Sequence, residues 1–183
     1  RLSIHLITAF IIISTIFWLI KNILSKNNKF FFNLSNQNLP FLILIFLIFT
    51  QIIFGAFVSG LDAGKIYQTW PKMNNNFFPD DVFLDNFMMI FNFDNHSLVQ
   101  FYHRNLAYLI ILYSVFLSFY IYKKKYLILF KPLKILLFTL FLQVVLGIFT
   151  LISGLNIYLA SIHQITSVLL VLSALNLYYL RAK

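Results

Sequence analysis

Apolar positions run through this chain in five long, nearly uninterrupted stretches: Ser3–Ile20, Pro40–Ser59, Leu98–Tyr122, Pro132–Ser153 and Ile157–Leu180. A helix needs roughly 20 residues to cross a hydrocarbon core about 30 Å thick, and each stretch is of that order. Pro40 and Pro132 stand at the starts of their stretches, where a missing N–H costs nothing. Gly60 and Gly154 close the same two, as helix C-termini often do. The pattern predicts an all-α integral membrane protein.

The polar positions between the stretches orient it. Lys21, Lys26 and Lys29 lie in the first connection without an acid, and Lys123, Lys124, Lys125 and Lys131 in the third, with Lys134 just beyond. The tail holds Arg181 and Lys183. The connection 60–97 instead carries Asp62, Asp80, Asp81, Asp85 and Asp94 against Lys65 and Lys72. Basic segments stay cytoplasmic, so the acidic connection and residue 1 are expected outside and the C-terminus inside. Within that outer connection, Asp80 and Asp81 predict a helix N-terminus ahead of 82–93. Phe83, Phe87, Met88 and Phe91 recur there at helical spacing. Two readings stand open for them: a segment lying along the membrane surface, or a lid packed over the bundle.

Composition narrows the chemistry. The chain is 61% hydrophobic and 10% charged, far from soluble averages, and contains neither cysteine nor glutamate. That excludes disulfides and thiolate metal sites and removes most carboxylate chemistry from the bilayer interior. The formal charge of +9 sits in short segments beside apolar runs. It therefore acts as a topology signal and not as a nucleic-acid surface. The sequence opens on Arg1, not Met, directly ahead of an apolar run without a small-residue cleavage site, so further chain is expected upstream.

The second and fourth stretches superpose. Gln51-Ile-Ile-Phe-Gly55 matches Gln143-Val-Val-Leu-Gly147, each followed by an aromatic two residues on and then by Ser-Gly-Leu, with a one-residue shift. The stretches that follow carry His103 and His163 near their outer ends. The last four helices are thus two copies of one hairpin in parallel orientation, which predicts a four-helix transmembrane bundle plus one preceding transmembrane helix. Gly55 and Gly147 are the small residues expected where membrane helices cross. Gln51 and Gln143 are expected to face the interior, as packing contacts or as contacts to a ligand.

A lone histidine at membrane depth is most often structural. Two at equal depth on repeat-related helices reverse that reading. With no carboxylate nearby they make a poor acid–base device and a good pair of axial ligands for haem iron. Arg104 follows His103, where it either pairs with haem propionates or snorkels to the interface. His5 lies near the outer end of the first helix, outside the repeat, and His96 reads as a solvated interface residue.

These residues resemble a known family. The stretch from Gln51 to Gly64, with Ser59-Gly-Leu-Asp-Ala-Gly64, then Tyr67-Gln-Thr-Trp-Pro71, Leu98-Val-Gln-Phe-Tyr-His-Arg104, Gln143…Gly147, Ser153-Gly-Leu155 and His163-Gln164, is similar to haem A synthase. That is the cytochrome oxidase assembly enzyme of bacteria and mitochondria. The resemblance spans essentially the whole chain and implies two fused four-helix bundles. Residues 1–39 then form the last helix of an upstream bundle with its cytoplasmic linker. Residues 40–183 form the second bundle, with its outer loop 60–97.

The resemblance also implies that His103 and His163 hold an electron-passing haem b, and that His5 is one of two histidines around substrate haem O. The reaction would be oxidation of a haem O methyl to the formyl of haem A. The family's Glu-x-x-His helix is missing here, so this chain alone is expected to be inactive. The absence of cysteine matches the branch without the outer-loop cysteine pair. The implied location is the bacterial inner membrane, or the mitochondrial inner membrane. The implied partners are the lipid bilayer, the N-terminal bundle, haem O synthase, an electron donor or acceptor, and further copies of the chain, but not nucleic acid. Two other classes remain as alternatives. One is a bis-histidine cytochrome b that only carries electrons. The other is a transporter, which would call for broken helices or midplane charges that the sequence does not show.

Overall fold

The computed structural model describes residues 2–83 and 87–182. The start at Arg1, Asp85 of the acidic connection and the terminal Lys183 lie outside the described residues. Within them stand five α-helices, α1 (Leu2–Ser25), α2 (Leu39–Gly60), α3 (His96–Lys123), α4 (Phe130–Ile152) and α5 (Ile157–Arg181), each long and apolar enough to cross a membrane. The protein is a multi-pass membrane helical bundle.

Local chemistry sets the helix ends. α3 begins ahead of the apolar stretch because Asn95 caps it, accepting from Leu98 N at 3.0 Å. Asn156 does the same for α5, accepting from Tyr158 N at 3.0 Å. Gly154 takes the left-handed conformation (φ +71°) just past α4. Gly60 closes α2 as expected, as its last residue, while the positive φ falls on Asp62.

α2 packs most closely with α3, and α4 with α5. α2 also meets α5, and α3 meets α4, so the four close into a ring with α3 and α5 on a diagonal. α1 lies outside the ring against α2 and α5. The fully buried side chains gather toward the basic end: Phe41 and Leu44 of α2, Leu117 and Ile121 of α3, Leu133 of α4 and Leu175 and Tyr178 of α5. Trp18 of α1 joins them, stacked on Tyr178 with centroids 5.4 Å apart. Lys29 secures this end, its ammonium on the final carbonyls of α5 (Tyr179 O at 3.0 Å, and Ala182 O), where the helix dipole favours a cation. Toward the other end the core thins, and neither 101–109 of α3 nor 157–169 of α5 has a fully buried side chain.

Among the described residues of 82–93, where a helix was expected, only Phe87–Phe91 is helical, as a short 3-10 stretch; Leu84 to Asn86 lie outside the described residues. Asp81 is not a helix cap. Its carboxylate accepts from Tyr67 Oη and Ser97 Oγ, both at 2.6 Å. Two hydroxyl donors brought from distant positions outcompete a local turn. Residues 61–81 therefore fold into a strap over the start of α3, burying Ala63, Tyr67 and Met73. Phe83, Phe87, Met88 and Phe91 stay exposed. The residues that cover the bundle are thus 61–81, and not the four apolar side chains for which the surface and lid readings stood open.

Asp81 gives the strap a pH dependence. Burial opposes its charge, but the Ser97 and Tyr67 hydroxyls outweigh burial and hold the carboxyl below the ordinary aspartate range. A depressed folded-state pKa means the stabilisation is complete above the ordinary value and is lost as pH falls through the folded one. Protease protection of 61–81 should therefore hold from neutral pH down to about 4 and weaken below it. Asp81→Asn should show weakened protection at every pH. Protection that ignores both acid and the substitution would refute this account.

Candidate functional site

His103 lies on the buried seam of α3, at −7, −11 and −14 from Ile110, Ser114 and Leu117. His163 stands at the same spacings from Leu170, Ala174 and Leu177 of α5. Such spacings keep residues on one helical face. The two helices are diagonal and both enter from the strap end. The imidazoles consequently face one another across the ring, within electrostatic reach, at the level where the apolar core thins.

Each histidine is seated by the preceding helix of its own hairpin. A Cβ at Gly55 would come within 3.1 Å of His103 Cε1, and a Cβ at Gly147 within 3.1 Å of His163 Cε1. Both lie under ordinary carbon–carbon contact. The two glycines therefore make room for imidazole rings, a more specific task than the helix crossing the sequence suggested. Gln51 Nε2 donates to the His103 carbonyl at 3.1 Å, and Gln143 Nε2 to the His163 carbonyl at 3.0 Å. Glutamine, glycine and histidine thus form one seat, built twice.

The profile of the cytochrome oxidase assembly protein family matches residues 1–175, which include both seats. The chain belongs to the haem A synthase family. It is 44% identical over 179 residues to the haem A synthase of Pelagibacter ubique (strain HTCC1062), covering 94% of this chain and 50% of that protein. Over 182 residues it is 37% identical to the haem A synthase of Wolbachia pipientis subsp. Culex pipiens, covering 99% and 53%. The Rickettsia africae haem A synthase is 36% identical over 190 residues, with 98% and 54% covered. The chain spans about half the length of the curated relatives it matches. No solved structure matches it.

The other residues singled out in this haem A synthase family chain are placed elsewhere. The Arg104 side chain is held by the outer connection. Its guanidinium donates to Thr69 O at 2.8 Å, Lys72 O at 3.2 Å and Tyr67 O at 2.7 Å, which clamps the strap onto α3 beside His103. Arg104 Nε and the Tyr108 hydroxyl are buried without a partner. Gln100, one turn earlier on α3, adds a bond to Tyr67 O at 2.9 Å. His5 is exposed on α1, turned away from the buried Phe10 and Trp18, and does not join the other two histidines. His96 is the exposed first residue of α3.

Sequence reasoning missed Tyr67, Asp81 and Ser97 as a strap network, and Gln100 and Thr166. For Gln100 a signal existed: it precedes Arg104 by four residues, hence shares its face. The donor set between α3 and α5 suits a flat, apolar metal complex. It offers two imidazoles, a His163 Nδ1 that is buried without a partner, and two seats a methyl would fill. All five aspartates belong to the acidic connection, none to a helix of the ring.

Proposed function

We propose that this chain is the electron-transferring portion of a haem A synthase, binding haem b between α3 and α5 through His103 and His163. The observation that carries the reading is the duplicated seat: two histidines on diagonal helices, each held by a Gln-xxx-Gly element of the helix before. Evolutionary duplication of a mere packing feature would not require both rings to face the same interior level. Haem iron held by two imidazoles cycles by one electron with little rearrangement, which suits electron transfer.

The chain's own residues bind and shield. Gly55 and Gly147 leave room for the rings beside α2 and α4, and Gln51 and Gln143 bond the backbone carbonyl at each proposed ligand. Arg104 holds the strap over the open end, and its unpaired Nε is the donor left for a propionate. In this reading residues 40–183 form the haem b bundle, and residues 1–39 supply the last helix of an upstream bundle. His5 then serves substrate haem O on the exposed side of α1. Oxidation of the haem O methyl to the formyl of haem A would take place in that upstream bundle, so this chain by itself is inactive. Loop 60–97 lies outside and the C-terminus inside, in the cell inner membrane of a bacterium. Haem O synthase and an electron donor or acceptor would be its functional neighbours, and a homo-oligomer its assembly.

The chain purified from haem-replete cells should show a low-spin bis-imidazole spectrum and release haem b on extraction. Co-expressed with the N-terminal half of a relative, it should yield haem A. A haem-free protein would sink the reading, and haem b without conversion would leave a cytochrome that only carries electrons.

A further inference from the structure

At the basic end, away from the histidines, the connection between α1 and α2 is anchored on one side and open on the other. Along 30–34 the side chains alternate. Phe31 turns to the bundle, its ring edge-on to Trp18 with centroids 5.0 Å apart, while Phe30, Phe32 and Leu34 are left 84%, 79% and 75% exposed. Next to this apolar fringe the chain curls into the start of α2 and, with the end of α5, lines an open cavity of about 400 Å³. The lining is polar throughout: Asn33, Ser35, Asn36, Gln37, Asn38 and Arg181.

The Arg181 guanidinium rests on the Tyr126 ring, 4.8 Å from its centroid. Among the described residues its hydrogen bonds run through Nη2 alone, to Gln37 Oε1 and to Tyr126 Oη at 3.5 Å, and Nε is buried without a partner. No carboxylate side chain is at hand to pair with it. The chain has no glutamate, and all five aspartates belong to the connection at the other end. Yet every lysine and arginine except Arg1, Lys65, Lys72 and Arg104 belongs to this end.

Cations without acids create a field that draws anions. A guanidinium with free N–H groups, flanked by amides and a hydroxyl, is a donor set for phosphate oxygens. We propose that this cavity holds the phosphate of an anionic phospholipid, whose acyl chains run past Phe32 and Leu34. The ends of membrane-spanning helices stand at the depth of the headgroups. A free phosphate would leave the apolar fringe in water, whereas a lipid covers it. A zwitterionic lipid brings an ammonium that the surrounding cations repel, so the preference is for net negative charge.

The test is electron paramagnetic resonance of the intact chain in phosphatidylcholine vesicles with trace spin-labelled phosphatidylglycerol or phosphatidylcholine. The motionally restricted fraction should be larger for phosphatidylglycerol. Arg181→Gln and Asn36→Asp should each lower that preference about fivefold, the weight of a single charge at a membrane surface. Asn28→Asp makes the same isosteric charge change at the same end but outside the cavity, and should leave most of the preference in place. Both asparagine side chains are exposed and make no hydrogen bond among the described residues, so N36D decides should R181Q fail to fold. Equal restriction of the two lipids would leave no anion site and overturn the proposal. So would a loss in N28D as large as in N36D, which would leave only the diffuse field of the basic end. Displacement of the labelled lipid by inorganic phosphate at constant ionic strength would make this a free-phosphate site and overturn it too.

Discussion

His103→Ala and His163→Ala should each abolish the low-spin haem spectrum of the purified chain. Under the haem b proposal each substitution would remove one of the two residues that hold the iron, and no other histidine stands beside them. His5 is on the far side of α1 and His96 at the exposed start of α3. Nor does the chain hold cysteine that might substitute. Residual haem should be high-spin, and imidazole added to the buffer should restore the low-spin bands by entering the space the side chain left. That rescue separates a lost ligand from a lost fold. The fold itself should survive, because the buried core around Leu117, Leu133 and Tyr178 lies toward the opposite end of the bundle. His96→Ala and His5→Ala serve as controls and should keep the spectrum. Retention of the low-spin bands in either ligand variant would end the haem assignment.

The paired histidines could be found in the sequence because their signals are local. Apolar runs give the helices, their alternation gives α3 and α5 a shared direction, and Gln-xxx-Gly recurring before each histidine gives their equivalence. The helix boundaries shifted by a few residues only; Asn95 accounts for the earlier start of α3 through its capping bond, and Asn156 caps α5 where its start was expected. What the sequence concealed depends on contacts between distant positions. Asp81 carried a helix-start signal, yet Tyr67 and Ser97 capture its carboxylate from 14 and 16 residues away. Arg104 offered two readings, propionate or interface, and the structure gives it a third: three carbonyls of a strap whose path no periodicity encodes. The glycines were legible as small residues at membrane depth. That each one faces an imidazole follows only from the pairing of α2 with α3 and α4 with α5.

Gly55→Val and Gly147→Val should each weaken haem binding by roughly 5- to 150-fold, and by similar factors. An added Cβ alone would meet His103 Cε1 or His163 Cε1 at 3.1 Å, which a few tenths of an ångström of movement relieves. Alanine should therefore have a small effect. Valine adds two further carbons on a stiff χ1 and cannot fold away, so the ring must swing out of the interior. Overpacking of this kind costs about 1–3 kcal/mol, and each 1.4 kcal/mol is tenfold in affinity, which gives the range stated. Gly60→Val is the control, since nothing lies within 4 Å of a Cβ there. Haem titration of the three valine variants separates the possibilities. If the glycines served only to let helices approach, the cost would persist when the ring is gone. If they seat the imidazole, Gly55→Val in a His103→Ala background should cost no more thermal stability than His103→Ala alone, because the atoms that clash have been removed. An additive double mutant would return Gly55 to the helix-crossing role its sequence position first suggested.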